Sequence, residues 1–301
     1  MRSLVSLRLK LYRWFRGIFA YIGLGKIPGM GKLDDFFYDK FIRPREIVLL
    51  NIKGNKMYVN GADNDITPKL IRIGDWEEKY ESSLFKQCVK EGMTVVDVGA
   101  HVGYYTLLAA RAVGRGGLVY AFEPIPGNYE LLCRNIKAND FTNVTTVRAA
   151  VSNKRGTAQF WFEKDWSGSA SFSKYGVLAV SRHETLQKGG FIDTETVSLD
   201  DYFRDNIKNI KIDILKIDTQ GGEGLVMSGA GKILRNNKLK IFLEFWPAAL
   251  RDLGTDPLQL LSSLQQYGYQ IRVIDEEKQV LDPIEIDKAV DFPVLNLLLE
   301  N

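Results

Sequence analysis

The chain has 301 residues, enough for one large domain with appendages or two small ones. Hydrophobic residues make up 45% and charged residues 26%, ordinary globular values, and a net charge of +3 is too small to point to nucleic acid as a partner. The two cysteines, Cys88 and Cys133, form no CxxC pair, so a reducing, cytoplasmic setting is expected, and with only His101 and His183 as histidines a structural zinc site is not.

Seven Lys and Arg precede the first acid, Asp34. Residues 3–22 carry a helical period that puts Leu4, Leu7, Leu11, Trp14, Phe15, Ile18 and Ile22 on one face. Arg2, Arg13 and Arg16 fall opposite, and Arg8 and Lys10 flank the stripe. Gly23, Gly25, Pro28, Gly29 and Gly31 then break the helix. Such a basic amphipathic helix suits peripheral contact with an anionic membrane. Docking of the stripe on the body of the protein, or on a second copy in a homodimer, stays open. No apolar run is long enough for a transmembrane helix, and the basic residues interrupt any signal-peptide core. Residues 1–45 are therefore expected to be a helix and linker ahead of a main domain over 46–301.

Residues 46–53 and 56–60 are strand-like around Gly54-Asn55, a hairpin signal, and 77–90 predicts a helix. This lead-in covers 46–92. From Met93 onward short apolar runs alternate with helical stretches. Strands are expected over 94–98, 117–122, 143–151, 214–217, 240–245, 269–275 and 294–299, with helices over 104–113, 126–139, 223–235 and 257–267. Apolar strands with helical crossovers predict a doubly wound α/β domain whose mostly parallel, seven-stranded sheet is covered on both faces, the last two strands pairing antiparallel. Residues 152–210 break this rhythm. They hold two alternating stretches, 156–163 and 194–199, around Ser167-Gly168-Ser169, and predict a substrate-side insertion.

The segment Val95-Val96-Asp97-Val98-Gly99-Ala100-His101-Val102-Gly103-Tyr104-Tyr105-Thr106 reads as strand, glycine turn and helix start. Such turns bind nucleotide-like ligands at the carboxyl end of a sheet. Glu123, in Ala121-Phe122-Glu123-Pro124, ends the next strand, where an acid can accept both hydroxyls of a ribose. The middle glycine of G-x-G-x-x-G is missing, which disfavours the pyrophosphate of NAD and an NAD-dependent oxidoreductase. S-adenosylmethionine has no phosphate, and Asp97 suits its ammonium. Asp97, Gly99, Ala100, His101, Gly103, Thr106, Glu123 and Pro124 are therefore the expected cofactor residues.

These segments, with Val197-Ser198-Leu199-Asp200-Asp201 and Leu215-Lys216-Ile217-Asp218-Thr219-Gln220-Gly221-Gly222-Glu223, resemble the FkbM-type methyltransferases over about residues 75 to 250. The chain departs from that pattern at Gln220, often Glu in the family, and at His101, often Asn. The resemblance implies a Rossmann-like class I methyltransferase fold, S-adenosylmethionine as cofactor, and methyl transfer to a hydroxyl of a sugar, glycolipid or natural-product-like acceptor. A hydroxyl acceptor needs a base, or a metal that lowers its pKa. Asp218 and Glu244 end neighbouring strands and are the candidate catalytic residues, with His183 in the insertion as a third. No metal is expected, although Asp218, Glu223 and Glu244 have the oxygen chemistry for a divalent ion. Trp161, Trp166, Phe172, Tyr175 and Trp246 offer aromatic surface for a sugar ring or for a core. A membrane-associated adaptor that kept the fold and lost catalysis is the non-enzymatic alternative.

Overall fold

The computed structural model of the chain describes residues 2–21, 30–75, 78–181, 189–207, 210–236 and 239–301. Helix α1 (Arg2–Tyr21) is followed by α2 (Met30–Phe37), which runs on as a π-helical turn over Tyr38–Ile42. Strands β1 (Ile47–Ile52) and β2 (Asn55–Asn60) form the expected hairpin. Its turn is Lys53-Gly54, one residue earlier than the sequence suggested, with φ values of 50° and 82°. Two residues of positive φ match the right-handed twist of the strands.

The free edge of β2 is closed by side chains rather than by a third strand. Asn135 accepts from the Tyr58 amide at 2.5 Å and donates to the Tyr58 carbonyl at 3.0 Å and the Val102 carbonyl at 2.8 Å. Asn139 repeats the pattern on Lys56, at 2.8 and 2.7 Å. An open strand edge is a liability, and here a helix covers it with amide side chains.

After the hairpin come α3 (Ile66–Ile73), which the periodicity did not reveal, and α4 (Lys79–Cys88). The central sheet then begins with β3 (Thr94–Val98), α5 (Tyr104–Val113), β4 (Leu118–Phe122), α6 (Pro126–Ala138) and β5 (Val144–Val147). Residues 143–151, expected as one strand, divide after Val147. The second part is β6 (Ala150–Val151), which leaves the central sheet for another.

That other sheet is the insertion. It contains β7 (Gly156–Glu163), β8 (Trp166–Ser171), α7 (Lys174–Ser181) and β9 (Gly190–Val197), in the strand order β6-β9-β7-β8. The glycine- and serine-rich stretch between the two expected strands is thus itself largely strand. Helix α8 (Leu199–Asn206) returns the chain to the centre, its first turn capped by Ser198 accepting from the Asp201 amide.

The remainder is β10 (Ile214–Ile217), α9 (Glu223–Ser228), α10 (Gly231–Asn236), β11 (Lys240–Phe245), α11 (Pro247–Asp252), α12 (Pro257–Gln266), β12 (Gln270–Asp275), β13 (Val280–Pro283), α13 (Ile286–Ala289) and β14 (Leu295–Glu300). The central sheet has the order β13-β12-β14-β11-β10-β3-β4-β5. It has eight strands, not seven, because the short edge strand β13 joins it. The pairs from β5 to β11 are parallel, and β14 runs antiparallel to both β11 and β12. This is a doubly wound, Rossmann-like α/β domain. Residues alternate along the strands between its two faces. Val95 and Val119 pack with Phe85, Leu107 and the hairpin, while Val96, Val98 and Phe122 pack with Leu199, Val226 and Leu261 on the other side.

Helix α1 docks by the face opposite its apolar stripe. Leu9 and Tyr12 are buried at 6% and 5% exposure, and the Tyr12 hydroxyl donates to Asp34 at 2.8 Å. Arg13 donates to the Ile71 and Leu70 carbonyls at 2.6 and 3.1 Å, satisfying acceptors at the end of α3. Arg16 pairs with Asp34 at 3.3 Å. The stripe therefore does not cover the body of the protein.

Candidate active site

The carboxyl ends of β3, β4, β10 and β11 meet at one cavity of about 400 Å³. Of the residues expected to hold a cofactor, Asp97, Gly99, Ala100, His101, Glu123 and Pro124 line it, as do Asp218 and Glu244. Gly103 and Thr106 are not on its wall. Gly103 has a φ of 96°, and a Cβ there would lie 2.7 Å from Leu132, so it serves the packing of α5 on α6. Thr106 is fully buried and donates to Asp97 at 2.6 Å, so it positions the carboxylate. His183 lies outside the described residues.

Gly99 is fixed by both conformation and space. Its φ is 81°, and a Cβ would fall 1.8 Å from the Asp218 carbonyl oxygen. No side chain fits between the ends of β3 and β10. The Gly99 and Ala100 amides both donate to the Phe122 carbonyl, at 3.1 and 2.9 Å, which ties the turn to β4.

Glu123 is buried at the end of β4. Its two carboxylate oxygens accept from the His101 and Ile125 amides, each at 2.9 Å. Burial pushes its pKa up to about 7 against the pull of these donors. The Asn128 side chain is a further donor to this carboxyl. Burial also pushes Asp97 up to about 6, while the Thr106 hydroxyl pulls the other way. His101 has the left-handed φ of 53°, and its two ring nitrogens are buried beside the Ser167 backbone. Burial holds its pKa below the usual value, so the ring is neutral.

A polar cluster occupies the wall between β10 and β11. Gln220 donates from one amide nitrogen to Asp218 at 2.9 Å and to Glu244 at 2.8 Å. Lys216, in the middle of the apolar β10, lies 3.3 Å from Asp218 and 3.5 Å from Glu81 of α4. Burial lowers the Lys216 pKa, but Glu81, Asp218 and Glu244 outweigh burial and hold the pKa above the ordinary value. Burial works against the Asp218 anion, yet Lys216 and Gln220 pull its pKa below the carboxylate range. Burial and the Asp218 charge push Glu244 well above that range. The pair is thus an ionised Asp218 beside a protonated Glu244, the expected split for two close carboxyl groups.

Glu223 has another task. One of its oxygens accepts from the Thr219 amide and hydroxyl and from the Gly221 amide, at 3.1, 2.9 and 3.0 Å. It closes the turn after β10 and does not line the cavity. Among the described residues no group of three or more His, Cys, Asp or Glu side chains is arranged to hold a metal ion. The insertion supplies Phe160, Ser167, Gly168, Ala170 and Phe172 to the wall, and α11's preceding residue Trp246 faces the same space. Trp161 and Tyr175 do not line it. Trp161 packs on Phe191, and Tyr175 lies 6.3 Å from Trp246 between ring centroids.

Sequence reading missed Lys216 and Glu81. A lysine inside an otherwise apolar central strand is a signal in itself, because a buried charge needs a partner. Its partner comes from the lead-in helix, 135 residues earlier, and no spacing rule connects the two.

The sequence matches the family described as the Methyltransferase FkbM domain over residues 97–271, more than half of the chain. The methyltransferase sdnD of Sordaria araneosa is 27% identical over 201 residues, covering 59% of this chain and 73% of that protein. A protein-L-isoaspartate O-methyltransferase of Methanococcoides burtonii is 36% identical over 59 residues, 20% of this chain and 29% of that one. Among solved structures, the methyltransferase FkbM of Methylobacillus flagellatus KT gives a TM-score of 0.42 at 14% identity, over 73% of this chain and 50% of that one. TYW2 of M. jannaschii, solved with AdoMet, gives 0.44 at 15% identity over 85% of each chain. The chain belongs to the FkbM methyltransferase family.

Proposed function

We propose that the chain methylates a hydroxyl group of a small-molecule or glycan acceptor seated against Asp218 and Glu244. The observation that carries this reading is the carboxyl pair itself: Gln220 bridges the two side chains at 2.9 and 2.8 Å on the wall of the cavity. The cavity also fits the cofactor. Gly99 presents bare backbone, and the Glu123 carboxyl and the His101 ring line the same wall. Asp97, Gly99, Ala100, His101, Glu123 and Pro124 would hold it.

When bound, S-adenosylmethionine supplies an electrophilic methyl group on a sulfonium. The protein's own part is alignment, exclusion of water and handling of one proton. As the carbon–oxygen bond forms and the carbon–sulfur bond breaks, the acceptor hydroxyl must lose its proton. Asp218 is ionised at neutral pH and can accept it. A carboxylate of low pKa is adequate, because the oxygen becomes strongly acidic as the bond forms. Glu244, which keeps its own proton, can donate a hydrogen bond to an acceptor oxygen and orient it. Phe172 and Trp246 give flat apolar faces for the carbon skeleton.

The test is incubation of the protein and S-adenosylmethionine with a panel of sugars, glycolipids and hydroxylated metabolites, read by mass spectrometry. A gain of one methylene unit, placed on oxygen by fragmentation, supports the reading. Methylation found only on nitrogen or carbon acceptors would overturn it.

A further inference from the structure

The stripe on α1 is turned away from the protein. Leu11, Trp14 and Phe15 are 49%, 60% and 53% exposed, and Leu7 and Ile18 are exposed beside them. The docking contacts all lie on the other face, through Leu9, Tyr12, Arg13 and Arg16. A helix normally buries its apolar stripe against the core. Here the stripe is the outer surface, and single scattered apolar residues do not account for a continuous row.

The second helix extends the row. Leu33, Phe36 and Phe37 of α2 are exposed, and so is Phe41 of the π-helical turn, whose ring packs on Phe37 at 5.1 Å. Arg8, at the edge of the α1 stripe, lines one surface depression with Phe41 and Arg45, so the basic edge of the stripe meets the π-helical turn.

Charge complementarity names the occupant. Residues 1–45 contain ten Lys and Arg against three Asp, whereas the rest of the chain has more acids than bases. The three acids are each engaged by guanidinium groups: Asp34 by Arg16, Asp35 by Arg72, and Asp39 by Arg43. Arg8, Lys10, Lys32, Lys40 and Arg45 remain exposed around the apolar row. The Lys40 ammonium lies over the Phe36 and Phe41 rings, 5.3 and 5.6 Å from their centroids. Aromatic and aliphatic side chains ringed by exposed cations match the acyl–headgroup boundary of an anionic bilayer. No helix among the described residues is long and apolar enough to cross a membrane, so the mode of contact is to lie in the interface.

We infer that α1 and α2 together form a platform that docks the enzyme on an anionic lipid surface. The platform is coupled to the site by α3. Arg13 holds the carboxyl end of α3, while Ile66 and Lys69 of the same helix line the cofactor cavity.

The experiment is co-sedimentation of the full chain with vesicles of phosphatidylcholine alone or with about a third phosphatidylglycerol. The protein should pellet with the anionic vesicles and not with the neutral ones. L11E/F15E removes apolar surface, and R8E/K10E reverses charge at residues that touch neither the body's core nor the cavity. Each basic residue near an anionic surface is worth about fivefold in partition, so R8E/K10E should bind at least about 25-fold more weakly. L11E/F15E should bind about tenfold or more weakly. Calorimetric binding of S-adenosylmethionine, unchanged in both variants, establishes that they are folded. Absence of wild-type binding to anionic vesicles, or unchanged binding by folded variants, would overturn the inference. A concentration-dependent dimer that L11E/F15E abolishes, with no vesicle binding, would overturn it in favour of a second copy on this face.

Discussion

Lys216→Met tests the electrostatics of the site most sharply. The lysine is buried at 3% side-chain exposure, as is Glu81, and it serves Glu81 and Asp218 together. Asp218 is 36% exposed to the cavity, so water compensates part of its loss, but Glu81 has no such relief. Removing one partner of a buried pair costs about 3–5 kcal/mol, and with the Asp218 arm partly hydrated we take the lower end, about 3 kcal/mol. For a domain of this size that is a fall of roughly 6–10 °C in melting temperature. The pH dependence has a definite sign. In the wild type the raised Lys216 pKa gives a contribution that is complete below its unfolded value of 10.5 and flat from pH 5 to 8, while burial raises Glu81 against the pull of Lys216, a pull that the variant loses. In the variant the two carboxyl groups rise in pKa on folding. Their contribution is complete below about 4.5 and is lost as pH rises through the raised values. The deficit should therefore be larger at pH 8 than at pH 5. Adding Glu81→Gln should recover part of the loss, because both buried charges are then gone. Urea denaturation of the four proteins of this cycle at both pH values measures all three effects. A K216M variant within about 0.5 kcal/mol of wild type, or a deficit independent of pH, would refute the reasoning.

Three further outcomes follow from the same geometry. Gly99→Ala puts a Cβ 1.8 Å from the Asp218 carbonyl at a φ of 81°. It should abolish measurable cofactor binding by calorimetry and cost more than about 3 kcal/mol in stability; wild-type affinity would contradict this. If Glu123 accepts the ribose hydroxyls as proposed, cofactor affinity should weaken as pH falls below about 7, by up to about tenfold per unit, because that role needs its ionised form and burial raises its pKa to about 7. Titration calorimetry between pH 6 and 8 checks this, and a flat profile would refute it. In the unliganded protein the same group acts with opposite sign, its stabilising contribution being full below about 4.5 and lost as pH rises through about 7. Asn135→Ala strips partners from the Tyr58 amide and carbonyl and the Val102 carbonyl, and should cost about 2–4 kcal/mol by urea denaturation; a loss under about 0.5 kcal/mol would remove the edge-closing role.

The central sheet was legible because period and composition agree there. Residues 104–113, 214–217 and 240–245 are elements with those very bounds. Short polar elements were not. β8 is built from Trp166-Ser167-Gly168-Ser169-Ala170-Ser171, whose composition signals a loop; β7 and its neighbours make it a strand. β13 is a four-residue edge strand ending in Pro283, too short to show alternation. On α1 the period was legible, but not which face docks. That choice depends on Arg13 meeting the carbonyls of α3 and Tyr12 meeting Asp34, contacts between segments with no sequence relation. In the site, the glycine turn and the strand-end acids reach one cavity because topology places strand ends together. Thr106 could be seen near Asp97, but not that it serves Asp97 instead of the cavity, since that depends on a side-chain rotamer.

The most direct measurement of the account is single-turnover methyl transfer to an identified hydroxyl acceptor by wild type, Asp218→Asn and Glu244→Gln. Both variants keep side-chain size and should bind S-adenosylmethionine within about threefold of wild type, since the expected cofactor contacts lie on β3 and β4. Loss of the proton acceptor should slow D218N by about 10²–10⁴-fold, and E244Q should lose less, because an amide can still donate to the acceptor oxygen. Transfer at the wild-type rate by D218N, with cofactor and acceptor both bound, would contradict the account.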